Sequence, residues 1–428
     1  MLVMMMYWFP YEGPIPTIYA GLFEGLLRDG YRISLIASFP HFRYGRREKW
    51  VEFRGKLFER TKWNGVDLYR VGVFAPEFRS SRVSLLFRAL NYLSFALLAF
   101  LVGLKVSRNA DVILVPSSPP LLGAIIASIL GKARGIPFVY NVQDLYPENL
   151  SALGIVRNRL ILNFWDRLER LVYSRAAGVV VISKKMEECI RKKGVPAGKI
   201  VTIPNFHDTD RIVPMPKNNG FSAAHGLNSK FVVSYIGTVS FTHGLEFVVE
   251  AAAMLSALSD LCFVIIGRGE HLARIMDMAK DRNLSNVMFL PEVPYEKVNE
   301  VWAASDASLV CLVKGASTYQ VPSKTFGIMA SGRPVIAMLD EGSDIWTIVE
   351  ESGGGVCVPP ERSDKLAQAI KSFYEDREAV KRMGERAREY VVGNYSKERV
   401  TGLYTEVFTS VLAIRSGQLA SARVQRRI

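Results

Sequence analysis

The feature that most limits how this chain can fold is a repeated alternation of strand-length apolar runs with helical patterns. The runs include "RISLIAS" (Arg32 to Ser38), "DVILVPS" (Asp111 to Ser117), "IPFVYNV" (Ile136 to Val142) and "GVVVIS" (Gly178 to Ser183). Later come "KFVVSYIG" (Lys230 to Gly237), "LCFVIIG" (Leu261 to Gly267), "ASLVCLV" (Ala307 to Val313) and "RPVIAM" (Arg333 to Met338). Runs that are apolar on both faces and separated by helices specify parallel sheets covered on each side. The opening "MLVMMM" reads as a further buried strand, since it lacks the basic start of a signal peptide. The series breaks near Val201 to Gly220, where Pro204, Pro214, Pro216 and an Asn-Asn-Gly cluster punctuate the chain. The expected fold is therefore α/β, with two doubly wound, Rossmann-like domains whose strand ends surround one shared cleft. The expected boundaries are 1–205, 206–395, and a final segment 396–428 holding a helix that returns toward the first domain and a basic tail.

Composition narrows the function classes. The formal net charge of +13 favours phosphate-bearing ligands, nucleic acid or anionic membrane surfaces as partners. Nucleic acid is set aside, because no recognition motif, aromatic–glycine RNA signature or basic low-complexity arm occurs. The four cysteines (Cys189, Cys262, Cys311, Cys357) form no CxxC pair, and the five histidines show no metal-ligand spacing. Neither a disulfide framework nor a metal site is expected.

From Phe78 to Ala110 the chain carries no Asp or Glu, yet holds Arg79, Arg82, Arg88, Lys105 and Arg108. Within it, "ALNYLSFALLAFLVGL" (Ala89 to Leu104) is almost wholly apolar and, counted this way, short of the ~20 residues of a spanning helix. A buried helix, docking into an anionic membrane interface and a true span remain open from sequence.

Three stretches carry the chemistry. In "YIGTVSFTHGLEF", a strand leads to Gly237 and Thr238, then to His243 and Gly244 opening a helix. Glycine permits close backbone approach to a ligand, and a helix start offers free N–H groups to phosphate. "IIGRGEHL" repeats the arrangement with Gly267 and Arg268, and Arg268 suits a diphosphate. In "LVKGASTYQVPSKTF", Lys314 ends a strand, Pro322 enters a helix, Ser323 is placed to cap it, and Lys324 and Thr325 fall in the first turn. The helix dipole disfavours a lysine there, which points to an anionic partner. In the first half, "YNVQDLYPENL" sets two carboxylates, Asp144 and Glu148, at the exit of a core strand.

The order of these motifs resembles GT-B-fold, family 4 retaining glycosyltransferases (group 1). "IPNFHDTDRI" resembles their interdomain signature, and "QDLYPENL" a motif of the subgroup that builds capsule, O-antigen and colanic-acid sugars, typified by fucosamine and fucosyl transferases. The resemblance implies transfer from a UDP- or GDP-sugar to a lipid-linked saccharide, with retention and without a metal or other cofactor. It implies donor contacts by Gly13, Gly237, Thr238, His243, Gly244, Gly267, Arg268, Lys314, Ser323, Lys324 and Thr325. Asp144 and Glu148 would serve donor sugar and acceptor as the catalytic pair. It further implies an enzyme peripheral on the inner face of the cell membrane, docked through residues 79–108. Two glutamates that many members carry are replaced here by Tyr319 and Gly327. A GT-B-fold sugar-nucleotide epimerase and a non-catalytic sugar-nucleotide binder are the alternatives.

Overall fold

A computed structural model describes residues 1–11, 13–40, 52–53, 55–74, 84–119, 121–145, 158–318 and 320–416. The chain divides into two compact units, Met1–Pro204 together with Val400–Ile428, and Asn205–Arg399.

The first unit is built on eight strands: β1 (Leu2–Met4), β2 (Ser34–Ser38), β3 (Phe58–Trp63), β4 (Val66–Val71), β5 (Ile113–Pro116), β6 (Phe138–Val142), β7 (Gly178–Val181) and β8 (Ile200–Thr202). They lie in the order β3-β4-β2-β1-β5-β6-β7-β8. Every pairing is parallel except β3 with β4. That exception is a hairpin at the sheet edge, turned by Asn64 and Gly65, both at positive φ. β3 is mostly exposed and β4 alternates buried with half-buried residues, so neither forms an apolar run and the reading from runs missed the hairpin. Helices α1 (Pro14–Arg28), α2 (Ser84–Val106), α3 (Leu122–Arg134), α4 (Arg159–Arg175) and α5 (Lys184–Lys192) link the strands. Their ends follow local chemistry: Asn158 caps α4 and Ser183 caps α5, while α3 stops at Gly135 in the left-handed region.

Helix α2 has 23 residues, longer than the apolar run alone implied. Phe95 and Ala99 pack inward, while Leu90, Leu93, Leu97 and Leu101 lie 39–61% exposed at helical spacing. It is long and apolar enough to cross a membrane, and 22% of its most apolar stretch is buried.

The second unit has six parallel strands: β9 (Phe231–Ile236), β10 (Leu261–Ile266), β11 (Val287–Leu290), β12 (Ala307–Cys311), β13 (Val335–Met338) and β14 (Gly355–Val358). Their order is β11-β10-β9-β12-β13-β14. The direction of winding reverses between β9 and β12, where open α/β sheets bind ligands at the carboxyl ends. Helices α6 (Gly220–Ala224), α7 (Leu245–Met254), α8 (Leu272–Asp281), α9 (Val298–Ala303), α10 (Lys324–Ala330), α11 (Asp344–Ser352), α12 (Ser363–Glu375) and α13 (Arg377–Tyr395) cover both faces. The last helix, α14 (Lys397–Arg415), supplies the C-terminal part of the first unit.

Candidate active site

In the second unit the loops after β9 and β12 meet at the switch point. Val313 N–H donates to the Thr242 carbonyl at 2.9 Å, which locks the two loops together. Asp340 holds the second loop from beneath, accepting from Gly315 N and Ser317 N. Lys314 is exposed on that loop, its backbone N–H donating to Glu361.

Lys324 lies at the centre of this group. Its Nζ is buried, has no hydrogen-bond partner among the described residues, and sits 3.7 Å above the Tyr235 ring. A Cβ placed on Gly237, at φ +140°, would come 3.1 Å from that Nζ. Burial lowers the Lys324 pKa from 10.5 to about 7, with Cys311 opposing the shift. The same environment, and then the lysine charge, press His243 down to about 3, so its ring is neutral. Its Nδ1 is 2.8 Å from Ser240 Oγ. Thr238 is exposed and its carbonyl accepts from the Tyr235 hydroxyl at 2.6 Å. Gly244, in the left-handed region, opens α7 with no side-chain cap.

Gly267 and Gly269 are glycines for a reason the sequence did not disclose. A Cβ on Gly267 would stand 1.8 Å from the Gly237 carbonyl oxygen, and one on Gly269 would stand 1.9 Å from that of Val239. They let the two loops interlock. Arg268 is half exposed and pairs with Glu292 at 3.0 Å. Ser323 is not the expected cap. It has helical φ and ψ and makes no side-chain cap bond, so its backbone already belongs to the turn. Buried Thr325 instead donates to the Pro322 carbonyl at 2.8 Å. Gly327 faces Trp302, whose ring atom Cη2 would lie 2.2 Å from an added Cβ, so no side chain fits there. Tyr319 lies outside the described residues.

In the first unit, winding reverses between β1 and β5. Gly13 follows β1, at the start of α1, with extended backbone. Asp144 follows β6, the next strand over. Ser117 Oγ, at the end of β5, accepts from Gln143 N at 2.9 Å and from Asp144 N at 3.4 Å. Burial raises the Asp144 carboxyl from 3.8 to about 6. Glu148 lies outside the described residues. Ser117, Tyr235, Asp340 and Trp302 escaped the reading from motifs, since each acts through a fold contact distant in sequence.

Comparison with known proteins decides the family. The family model "Glycosyl transferase 4-like domain" matches residues 15–205, and "Glycosyl transferases group 1" matches residues 220–390. This chain belongs to the family 4 glycosyltransferases. It is 28% identical over 282 residues to the glycosyltransferase WbjE of Pseudomonas aeruginosa, covering 65% of this chain and 70% of WbjE. It is 26% identical to WcaI of Escherichia coli K12, a glycosyl transferase assigned to colanic acid biosynthesis, over 88% of this chain and 91% of WcaI. Among solved structures, Alr3699/HepE of Anabaena in complex with UDP aligns with TM-score 0.71 at 16% identity, covering 96% of this chain and 99% of HepE. The glycosyltransferase thus has the GT-B fold, with two Rossmann-like units and parallel sheets.

Proposed function

We propose that this glycosyltransferase moves a sugar from a nucleotide-diphosphate sugar to a lipid-linked saccharide during cell-surface polysaccharide synthesis. The observation that carries the donor assignment is the buried Nζ of Lys324, without a hydrogen-bond partner among the described residues, beside Gly237 at the switch point. A buried cation without a partner is costly, and a diphosphate would repair it. The UDP and UDP-glucose complexes of HepE support the same class of donor. The colanic acid assignment of WcaI supports a polysaccharide product.

Transfer breaks the bond between the sugar C1 and the diphosphate oxygen, so negative charge builds on the leaving group. Lys324 and Arg268 meet that charge, and the backbone of the glycine loops admits the phosphates. No step calls for a metal. The acceptor hydroxyl attacks from the face the leaving group vacates, which retains configuration, and the departing phosphate takes its proton. Asp144 holds the donor sugar or the acceptor in place, ionised above about pH 6.

Helix α2 supports a membrane-borne acceptor. It exposes four leucines along one face, contains no acidic residue and is followed by Arg108. That combination suits an anionic bilayer surface and a peripheral enzyme on the inner face.

The test incubates the purified protein with UDP-, GDP- and dTDP-sugars and a membrane lipid extract, following nucleoside diphosphate release. Lipid-dependent release that persists in EDTA and fails in Lys324→Ala and Asp144→Ala is expected. Release without any acceptor would sink the transfer reading. Leu93→Glu with Leu97→Glu should reduce co-sedimentation with anionic vesicles, and unchanged binding would remove α2 as the docking face.

A further inference from the structure

The first unit exposes a second apolar helix face, on α4. Leu160 is 79% exposed, Phe164 68%, Ile161 51% and Leu171 43%. At about 100° per residue, Leu160, Phe164 and Leu171 fall on one stripe, and exposed Arg167 interrupts it. The opposite side of the helix already has its core partners, for Glu169, Val172 and Tyr173 are buried. A single exposed leucine needs no explanation, whereas a row running about three turns along one helix marks a contact surface.

This face belongs to the same helix layer as α2. A Cβ on Gly103 of α2 would stand 2.7 Å from Leu130 Cδ1 of α3, so those two helices approach closely. Arg134, at the end of α3, donates to the Leu104 carbonyl of α2 at 3.2 Å. On its other side α3 meets α4, where Arg175 donates to Ser128 Oγ at 3.4 Å. Ile129 is exposed on the helix between them. Charge separates the possible occupants. α2 and α3 contain no Asp or Glu. α4 contains two, and both are engaged: Asp166 accepts from Arg170 at 2.7 Å, and buried Glu169 is held by Lys193 and Tyr173. Lys105, Arg108, Lys132, Arg134, Arg159 and Arg167 are exposed on or just after these helices. Apolar rows set among basic residues, with no uncommitted acid, complement a surface that is apolar below and anionic above.

We propose that α4 is a second membrane-docking element, which lays Leu160, Phe164 and Leu171 into an anionic bilayer. The proposal extends the docking read for α2 to a separate helix, and the two can fail independently. Its consequence for transfer follows from topology. β6 and β7 are parallel neighbours, so α4 runs from the carboxyl edge of the sheet back toward its amino edge. Leu160, Ile161 and Phe164, in the first turns, therefore lie toward the edge where Asp144 follows β6. A bilayer seated on α4 brings its lipid headgroups to that edge, and a saccharide carried on a lipid reaches Asp144 without leaving the membrane.

The experiment uses the full chain with vesicles of phosphatidylcholine and phosphatidylglycerol, against phosphatidylcholine alone. Leu160→Glu with Phe164→Glu should lower co-sedimentation by at least about tenfold. The melting temperature should hold, since both side chains already face water. Arg159→Gln with Arg167→Gln should lower binding to the anionic vesicles by about fivefold per charge removed and leave the neutral ones unaffected. Phe164→Trp keeps an apolar ring, and its fluorescence should be quenched by brominated lipids beyond the wild-type signal, which reads insertion without weakening it. Full binding by the glutamate pair, or an unquenched Phe164→Trp, would overturn the proposal. That holds even if Leu93→Glu with Leu97→Glu abolishes binding, in which case the α2 reading stands alone. Loss in the α4 pair with the α2 pair unaffected would support α4 and remove α2. Equal binding of wild type to neutral and anionic vesicles would overturn the assignment of an anionic surface. A wild-type dimer that the glutamate pair dissociates would give the stripe to a second copy of the chain and overturn the proposal as well.

Discussion

Replacing Lys324 with Met should make the protein more stable and its donor site useless. Methionine keeps an apolar stem over the Tyr235 ring and deletes the charge. The fall in pKa from 10.5 to about 7 corresponds to a cost of about 5 kcal/mol for holding the ammonium in the fold. At pH 7 the lysine is about half charged in the native state and fully charged in the unfolded one, so linkage leaves about 4 kcal/mol of that cost in place. For a domain of this size, that sets a ceiling of about 8–16 °C on the rise in melting temperature. The sign follows from proton binding. Between about pH 7 and 10.5 the unfolded chain binds more protons than the native one, so wild-type stability climbs with pH through that window. The variant should lose that slope. A diphosphate reverses the balance, because its negative charge raises the lysine pKa. UDP or GDP binding should then take up close to one proton per site at pH 8, about half at pH 7 and almost none at pH 5.5. Calorimetry in two buffers of different ionisation enthalpy measures the uptake directly. A variant that is less stable than wild type, or that binds UDP and GDP as tightly, would refute the argument that Lys324 is a strained cation kept for an anionic ligand.

Other consequences can be checked with single substitutions. Turnover should rise with pH through about 6 as Asp144 ionises, and Asp144→Asn should abolish that limb. Because the native carboxyl holds its proton more tightly than the unfolded one between 3.8 and about 6, wild-type stability should fall as pH rises through that window, and the variant should not follow. Gly267→Ala places a Cβ 1.8 Å from the Gly237 oxygen at φ +155°, so urea unfolding should show a loss of at least about 2 kcal/mol, together with loss of UDP binding. A neutral result would mean that the loops do not interlock. Glu169 is buried against Lys193 and accepts from the Tyr173 hydroxyl at 2.5 Å. Glu169→Ala should therefore cost about 3–5 kcal/mol by removing the buried carboxylate of this pair, which leaves Lys193 with the more distant Asp166 at 3.9 Å, and a loss below about 1 kcal/mol would contradict it.

The central strands were legible because burial on both faces leaves a continuous apolar run, as in β6, β9, β10 and β12. The edge was not. β3 reads "FERTKW" and is mostly exposed, so no run marks it, although Asn64-Gly65 signals its turn. The loops of the candidate site were legible as glycine and lysine placements after strands. Their reasons were not. Gly267 is fixed by a neighbouring loop, Gly327 by Trp302, and Lys324 by the ring of a residue 89 positions earlier, Tyr235. Sequence shows which residue types stand where, while contacts of this range arise only when the sheet order brings loops together.

Helix α2 shows the same limit from the other side. An apolar run counts residues that avoid water, and it ends wherever a polar residue interrupts it. A helix ends only where its backbone bonding ends, which is why α2 continues on both sides of the apolar stretch to 23 residues. Composition also cannot say which face meets the core. Phe95 and Ala99 recur at the same spacing as Leu93, Leu97 and Leu101, yet the first pair is buried and the leucines are exposed. The fold covers only the first of these two apolar stripes. The peripheral docking proposed above would cover the second, and vesicle binding by the leucine variants tests that proposal.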